Sequence, residues 1–389
     1  MQATLRRFVT ITTFGLAVLV SAGGSGATSR VETIPGMPPV PDASNLYSET
    51  TPDKLSPALA GVPARVYVPN VKSHEVHVID PVTMTIIDRY KVGKNPQHIV
   101  PSWDLKTLWV TNNAEGRTDG TLTPIDPMTG KPGKEIAVED PYNMYFTPDG
   151  KSAIVVAEAF KRLDLRDPKT FTLQGSVSAP KCGGINHGDF SIDGKYLIMT
   201  CEYASRMVKI DWRARTVLGY LTLPDRGIPQ DVRVSPDGAV FYVADLRAGG
   251  VHLIDGDAFK LIGFVKTGVG THGLYPSRDA TKLYVTNRGF SKIGGKPGVG
   301  EGSVSVLDFA TRKVVATWKL PGPGSPDMGN VSVDGKHLWL SGRYDRVVYV
   351  IDTGTGEVVK TIPAGNEPHG LTVWPQPGRY SLGHTGNMR

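Results

Sequence analysis

The chain has 389 residues, 40% hydrophobic and 21% charged, with a formal net charge of +6. This is ordinary globular composition, enough for one large core or two smaller ones, and it sets aside a chain too polar to bury a core. The Lys and Arg residues are scattered rather than blocked, so the charge describes a solvated surface first and a nucleic-acid or anionic-envelope contact second.

The first residues, MQATLRRFVTITTFGLAVLVSAGGSGATS, carry two arginines, an apolar run from Phe8 to Val20 and small residues ending near Ala27. That three-part layout is an export signal over 1–27, and the apolar run is short for a membrane span. A retained N-terminal anchor is the competing reading. Arg6 and Arg7 do not decide between general and twin-arginine export, because Phe8 follows them directly. The exported chain is expected in a periplasm, outside the cell or on its envelope. Residues 28–63 are polar and proline-rich without sustained periodicity. They read as an extended lead-in, a tether or a strap.

From residue 64 to 376 the chain repeats itself. Seven short apolar runs, VYVPN, LWVTNN, IVVAEA, LIMTCE, FYVADL, LYVTNR and LWLSGR, recur along it. Most follow an Asp-containing turn such as TPDGKS, SIDGKY or SPDGAV. Glycine after aspartate supplies the positive φ that a tight turn between strands needs. Each run leads to a second strand closing on Asp, as in VHVIDP and VSVLDF, and then to a third β-rich run. Four strands at a spacing of about 40–45 residues make a propeller blade. The first repeat lacks an inner strand, and the chain supplies a spare one in EPHGLTVW near its end. The expected fold is therefore an all-β, seven-bladed propeller closed by the C-terminal strand, followed by a tail over 377–389. Closure hides the sheet edges.

These motifs carry a resemblance. YVTN stands at Tyr284–Asn287 and SPDG at Ser235–Gly238, with near copies in VYVPN, LWVTNN and FYVADL. The chain after the signal resembles the YVTN-repeat, YncE-like propellers. The resemblance implies the fold and leaves the function open, since such repeats occur in exported binding proteins, surface-layer proteins, lactonase relatives and nitrous oxide reductase, and one YncE-type relative is associated with DNA binding.

In a propeller the first strand of each blade lines the central channel. His98, His187, His272 and His369, four of the nine histidines, head four of these inner strands. Asn143, Asp231 and Met328, with Asp327 beside it, occupy the matching places in the other three. One reading has each imidazole bonding a neighbouring blade. The other has the four converging on a transition metal, because neutral imidazoles on rigid strands are what such an ion requires. Met328 and the pair Cys182 and Cys201 lean that reading toward copper, with iron or zinc behind it. By analogy, carotenoid-cleaving dioxygenases hold iron with four hub histidines, but neither that activity nor the copper chemistry of nitrous oxide reductase is carried over. His77 and His252 share a matched outer-strand place and read as structural, while His384 sits in the tail.

Cys182 and Cys201 fall in one blade. In an exported protein they read first as a disulfide and second as thiolate ligands. The second-strand ends Glu158, Glu202, Arg288 and Arg343 add a polar rim able to take a small polar or anionic ligand. The glycine-rich loop 291–302 reads as a flap or a tolerated insertion; no helix follows it, so no nucleotide cofactor is expected. Three functions stay open: a metal- or ligand-binding propeller, a metal-dependent or lactonase/lyase-like enzyme using a rim histidine as base, and a scaffold for envelope, protein or nucleic-acid partners. A monomer without a membrane span in the exported chain is expected.

Overall fold

The computed structural model describes residues 1–2, 31–115, 117–293 and 300–389. From residue 3 onward the export-signal segment lies outside the described residues, as does the middle of the 291–302 loop.

The sevenfold repeat forms seven antiparallel sheets arranged as a closed propeller. The first blade holds strands Arg65–Asn70, Glu75–Asp80 and Thr85–Lys91, and its inner strand is Thr372–Trp374 from the other end of the chain. Val66 pairs with Val373 and Tyr67 with Thr372, so the ring closes as the sequence indicates. The inner strands of the next six blades begin at Pro96, Pro141, Ile185, Pro229, Thr271 and Pro326. In the second blade the outer strand is interrupted, with Lys131–Pro132 and Ile136–Ala137 pairing separately with Thr121–Asp126.

Burial follows strand position. Inner strands such as Pro96–Pro101 and Ile185–Phe190 are buried at every residue, whereas the outer strand Thr85–Lys91 alternates. An inner strand is covered by neighbouring blades and by the hub, while an outer one turns alternate residues to water. The core is a ring of clusters between adjacent blades, for example Tyr67, Ile99, Val110 and Trp374 between the first and second.

The repeated Ser/Thr-x-Asp turn has a common mechanism. The hydroxyls of Ser102, Thr147, Ser191, Ser235, Ser277 and Ser332 each donate to the Asp two residues on. Each Asp accepts the N–H two residues further along, as Asp149 does from Lys151. The residue between must be left-handed, and Gly150, Gly194, Gly238 and Gly335 fill it with φ between 68° and 77°.

The lead-in is a strap. Leu46, Tyr47 and Leu59 are buried, the Tyr47 hydroxyl donates to the Val234 carbonyl at 2.6 Å, and Leu55 bridges Gly378. The segment after the closing strand also packs inside. Gly383 bridges Tyr145, and the His384 N–H donates to the Met144 carbonyl at 2.8 Å. Only glycine fits at 383: φ is +97°, and a Cβ would lie 2.5 Å from the Tyr145 Cα. Arg389 pairs with buried Asp189 at 2.5 Å. Among the described residues, no helix is long and apolar enough to cross a membrane.

Candidate metal centre

The four sequence-derived histidines come together at the hub, and a fifth joins them. His98, His187 and His369 are 0% exposed and His272 1%; His384, carried in by the C-terminal segment, is also 0% exposed. His384 lies outside the repeat, so no matched position pointed to it. Its one local signal is the glycine before it.

The five rings divide by partner. Both nitrogens of His98, His187 and His369 lack any hydrogen-bond partner. Buried imidazole nitrogens without partners are rare in native proteins and call for an ion or water. In His384 the Nδ1 sits 2.9 Å from the Asn143 side-chain nitrogen, while Nε2 is unpartnered and 3.4 Å from Asp231. In His272 the Nε2 accepts from Arg288 at 2.7 Å, and Nδ1 lies 2.9 Å from Asp327 Oδ1 without hydrogen-bond alignment.

His98 also lies 4.8 Å from His369, but one set of three rings is mutually close. Ring centres are 5.3 Å apart for His98–His187, 5.2 Å for His98–His384 and 5.0 Å for His187–His384. Three imidazoles on one tetrahedral ion, with nitrogen–ion bonds of about 2.0–2.1 Å, stand with centres about 5 Å apart. One potential ligand atom from each of the three lies within 4.8 Å of the others. His272, Asp327 and His369 form a second such group, but its two rings are 6.2 Å apart. Thus the structure brings all four expected histidines to the hub yet distributes them between two donor sets.

Burial, and then the neighbouring rings, hold His98 far below the usual imidazole range; burial does the same for His187 and His369. All three are neutral at physiological pH, the form a metal binds. Burial together with Arg288 pushes His272 down to about 4. Burial would raise Asp231 and Asp327, but Arg233 beside the first and Arg288 beside the second outweigh it and keep both ionised. As placed, Asn143 donates to His384 Nδ1 and so favours the tautomer with its proton on Nε2. Its Oδ1 accepts the Met144 N–H at 2.8 Å, so a half-turn that presented this oxygen to Nδ1 would cost the Met144 bond.

The other expected site residues are placed as follows. Met328 is buried, and its sulfur accepts from the Tyr275 hydroxyl at 3.5 Å. Cys182 and Cys201 form a buried disulfide with Cα atoms 4.7 Å apart. The bridge removes both thiolates from the candidate ligands. Glu202 accepts from Asn186 at 2.7 Å and Gln230 at 3.0 Å. Glu158 keeps one buried oxygen without a partner, and burial with Glu202 nearby pushes its carboxyl well up. Arg343 faces Glu367 at 3.3 Å. Tyr142 rests edge-on against His98 and His187 at 5.5 and 5.8 Å.

Comparison with known proteins agrees with the architecture. Residues 43–377 match the family model described as YNCE-like beta-propeller. Antigen Lp49 of Leptospira interrogans serogroup Icterohaemorrhagiae serovar copenhageni (strain Fiocruz L1-130) is 29% identical over 175 residues. That match takes in 40% of this chain and spans about a third, 35%, of the antigen. Among solved structures, Kuenenia stuttgartiensis hydrazine synthase superposes with a TM-score of 0.57 at 19% identity, covering 72% of this chain and 91% of that one. A functionally unknown protein from Desulfotomaculum acetoxidans DSM 771 gives 0.61 at 16% identity, covering 79% and 98%. At such identities the likeness is one of fold.

Proposed function

The chain belongs to the YncE-like β-propeller family, and we propose that it is an exported member that holds one transition-metal ion at its hub on His98, His187 and His384. The observation that carries this reading is the equal spacing of the three rings, 5.0–5.3 Å, which is that of imidazoles sharing one tetrahedral ion. Three protein nitrogens leave a fourth position for water or a small ligand. Neutral imidazoles bind copper(II) most tightly of the divalent first-row ions, which makes copper the proposed occupant, and zinc, which prefers the tetrahedral arrangement, is its competitor. The disulfide supports export, since such bridges persist in oxidising compartments.

Titration of metal-free protein with copper(II), followed by elemental analysis after desalting, tests the reading. About one equivalent should be retained, and the folded His98→Ala/His187→Ala variant should retain none. Protein that keeps no copper, zinc or iron, or a double variant that binds like the parent, contradicts it.

A further inference from the structure

The second donor set at the hub is as buried as the first. His272, Asp327 and His369 are at most 1% exposed, and each offers a ligand atom within 4.8 Å of the others. Two imidazoles and a carboxylate are a common ligand set for a divalent ion. Asp327 Oδ2 and His369 Nε2 face each other at 3.5 Å, and neither atom, nor His369 Nδ1, makes a hydrogen bond.

A positive charge nevertheless sits on this set already. Arg288 is 4% exposed and is the first residue after strand Lys282–Asn287. Its Nε and Nη2 donate to Asp327 Oδ1 at 2.8 and 2.5 Å, and the same Nη2 donates to His272 Nε2 at 2.7 Å. A guanidinium has only donors, so His272 must offer Nε2 as the acceptor and carry its proton on Nδ1. That proton leaves neither nitrogen free to ligate. Arg343 adds a second guanidinium, 3.9 Å from Asp327 Oδ2. Arg343 is itself paired with Glu367 at 3.3 Å, so it is Arg288, bonded directly to Oδ1, that compensates the carboxylate and that an incoming divalent cation would meet.

We propose that Arg288 is an internal cation occupying the second donor set, so that the hub accepts a single ion and a second metal site opens when this charge is removed. The count of one rests on the metal-binding reading above, but the latent site does not. It is built from different residues and can be tested with the first set disabled.

The experiment counts copper(II) bound, by calorimetry and elemental analysis, on variants shown to be folded by thermal melting. Arg288→Leu should raise the stoichiometry from one to two, and adding Asp327→Asn should return it to one. In the His98→Ala/His187→Ala background, Arg288→Leu should raise it from zero to one whether or not the first site exists. Should Arg288→Leu fail to fold, Arg288→Gln removes the charge while keeping a donor and should give the same increments. Two ions bound by the unmutated chain, or no increment from either substitution in both backgrounds, overturns the proposal.

Discussion

His98 and His272 stand at matching places in the repeat, yet their surroundings give them different chemistry. His98 has two free nitrogens, whereas His272 has one nitrogen under Arg288 and the other facing Asp327. Asn143 governs His384 in a comparable way. Ligation through Nε2 moves the ring proton to Nδ1, which then needs an acceptor. Asn143→Asp supplies one permanently, and copper affinity measured by competition with a chelator should rise about tenfold. Weakened or unchanged affinity would remove His384 from the ligand set. A residue away from the hub gives a pH test. Burial pushes the Asp140 carboxyl up to about 6, against the partial relief of the Ala159 N–H it accepts. Its contribution to stability is therefore full below about pH 4 and is lost as the pH rises through 6. Asp140 has φ of 46°, which asparagine also tolerates. Asp140→Asn should stabilise by about 1–2 kcal/mol at pH 8 and by nothing near pH 4, read from denaturant midpoints at the two pH values. An equal gain at both would show that the charge is not the cause.

Among the elements, the C-terminal segment was the least legible in the sequence. The inner strands announce themselves through turns whose Asp and Gly have fixed jobs, so the histidines heading them could be placed before any coordinates. Residues 377–389 carry no periodicity. Their position depends on a bridge from Gly383 to Tyr145 and on the Arg389–Asp189 pair, contacts between distant parts of the chain. The segment buries Tyr380, Leu382 and Met388 and delivers His384. Truncation after Gln376 keeps the closing strand Thr372–Trp374, so the β-sheet circular dichroism should persist. Copper affinity should drop at least about a hundredfold with a ligand gone. The melting temperature should fall as well, because buried Asp189 loses its charge partner. A truncated protein that still binds copper with the parent affinity would exclude the tail from the site.

For the whole molecule, the ring explains how residues far apart in the chain meet. His98 and His369 are separated by 271 positions in the numbering, yet their ring centres lie 4.8 Å apart. Closure by a terminal strand also makes the hub a product of the complete fold. The number of blades and the inner-strand places of the four histidines were readable from the repeat, because each blade restates the same strand order; the rim expected to be open is buried, with these four at most 1% exposed. What could not be read was how five rings divide between two donor sets, since that depends on Arg288 joining His272 to Asp327 of the next blade and on Asn143 and Asp231 meeting the C-terminal segment. For the two cysteines a disulfide was the first reading, from the shared blade and the export signal, and the bridge is formed.

X-ray absorption at the copper edge of the loaded protein tests the central claim most directly. The account requires three nitrogen scatterers at about 2.0 Å with the outer-shell pattern of imidazole rings, plus one light exchangeable ligand. A first shell of oxygens alone, a sulfur scatterer, or a spectrum unchanged by His384→Ala would contradict it.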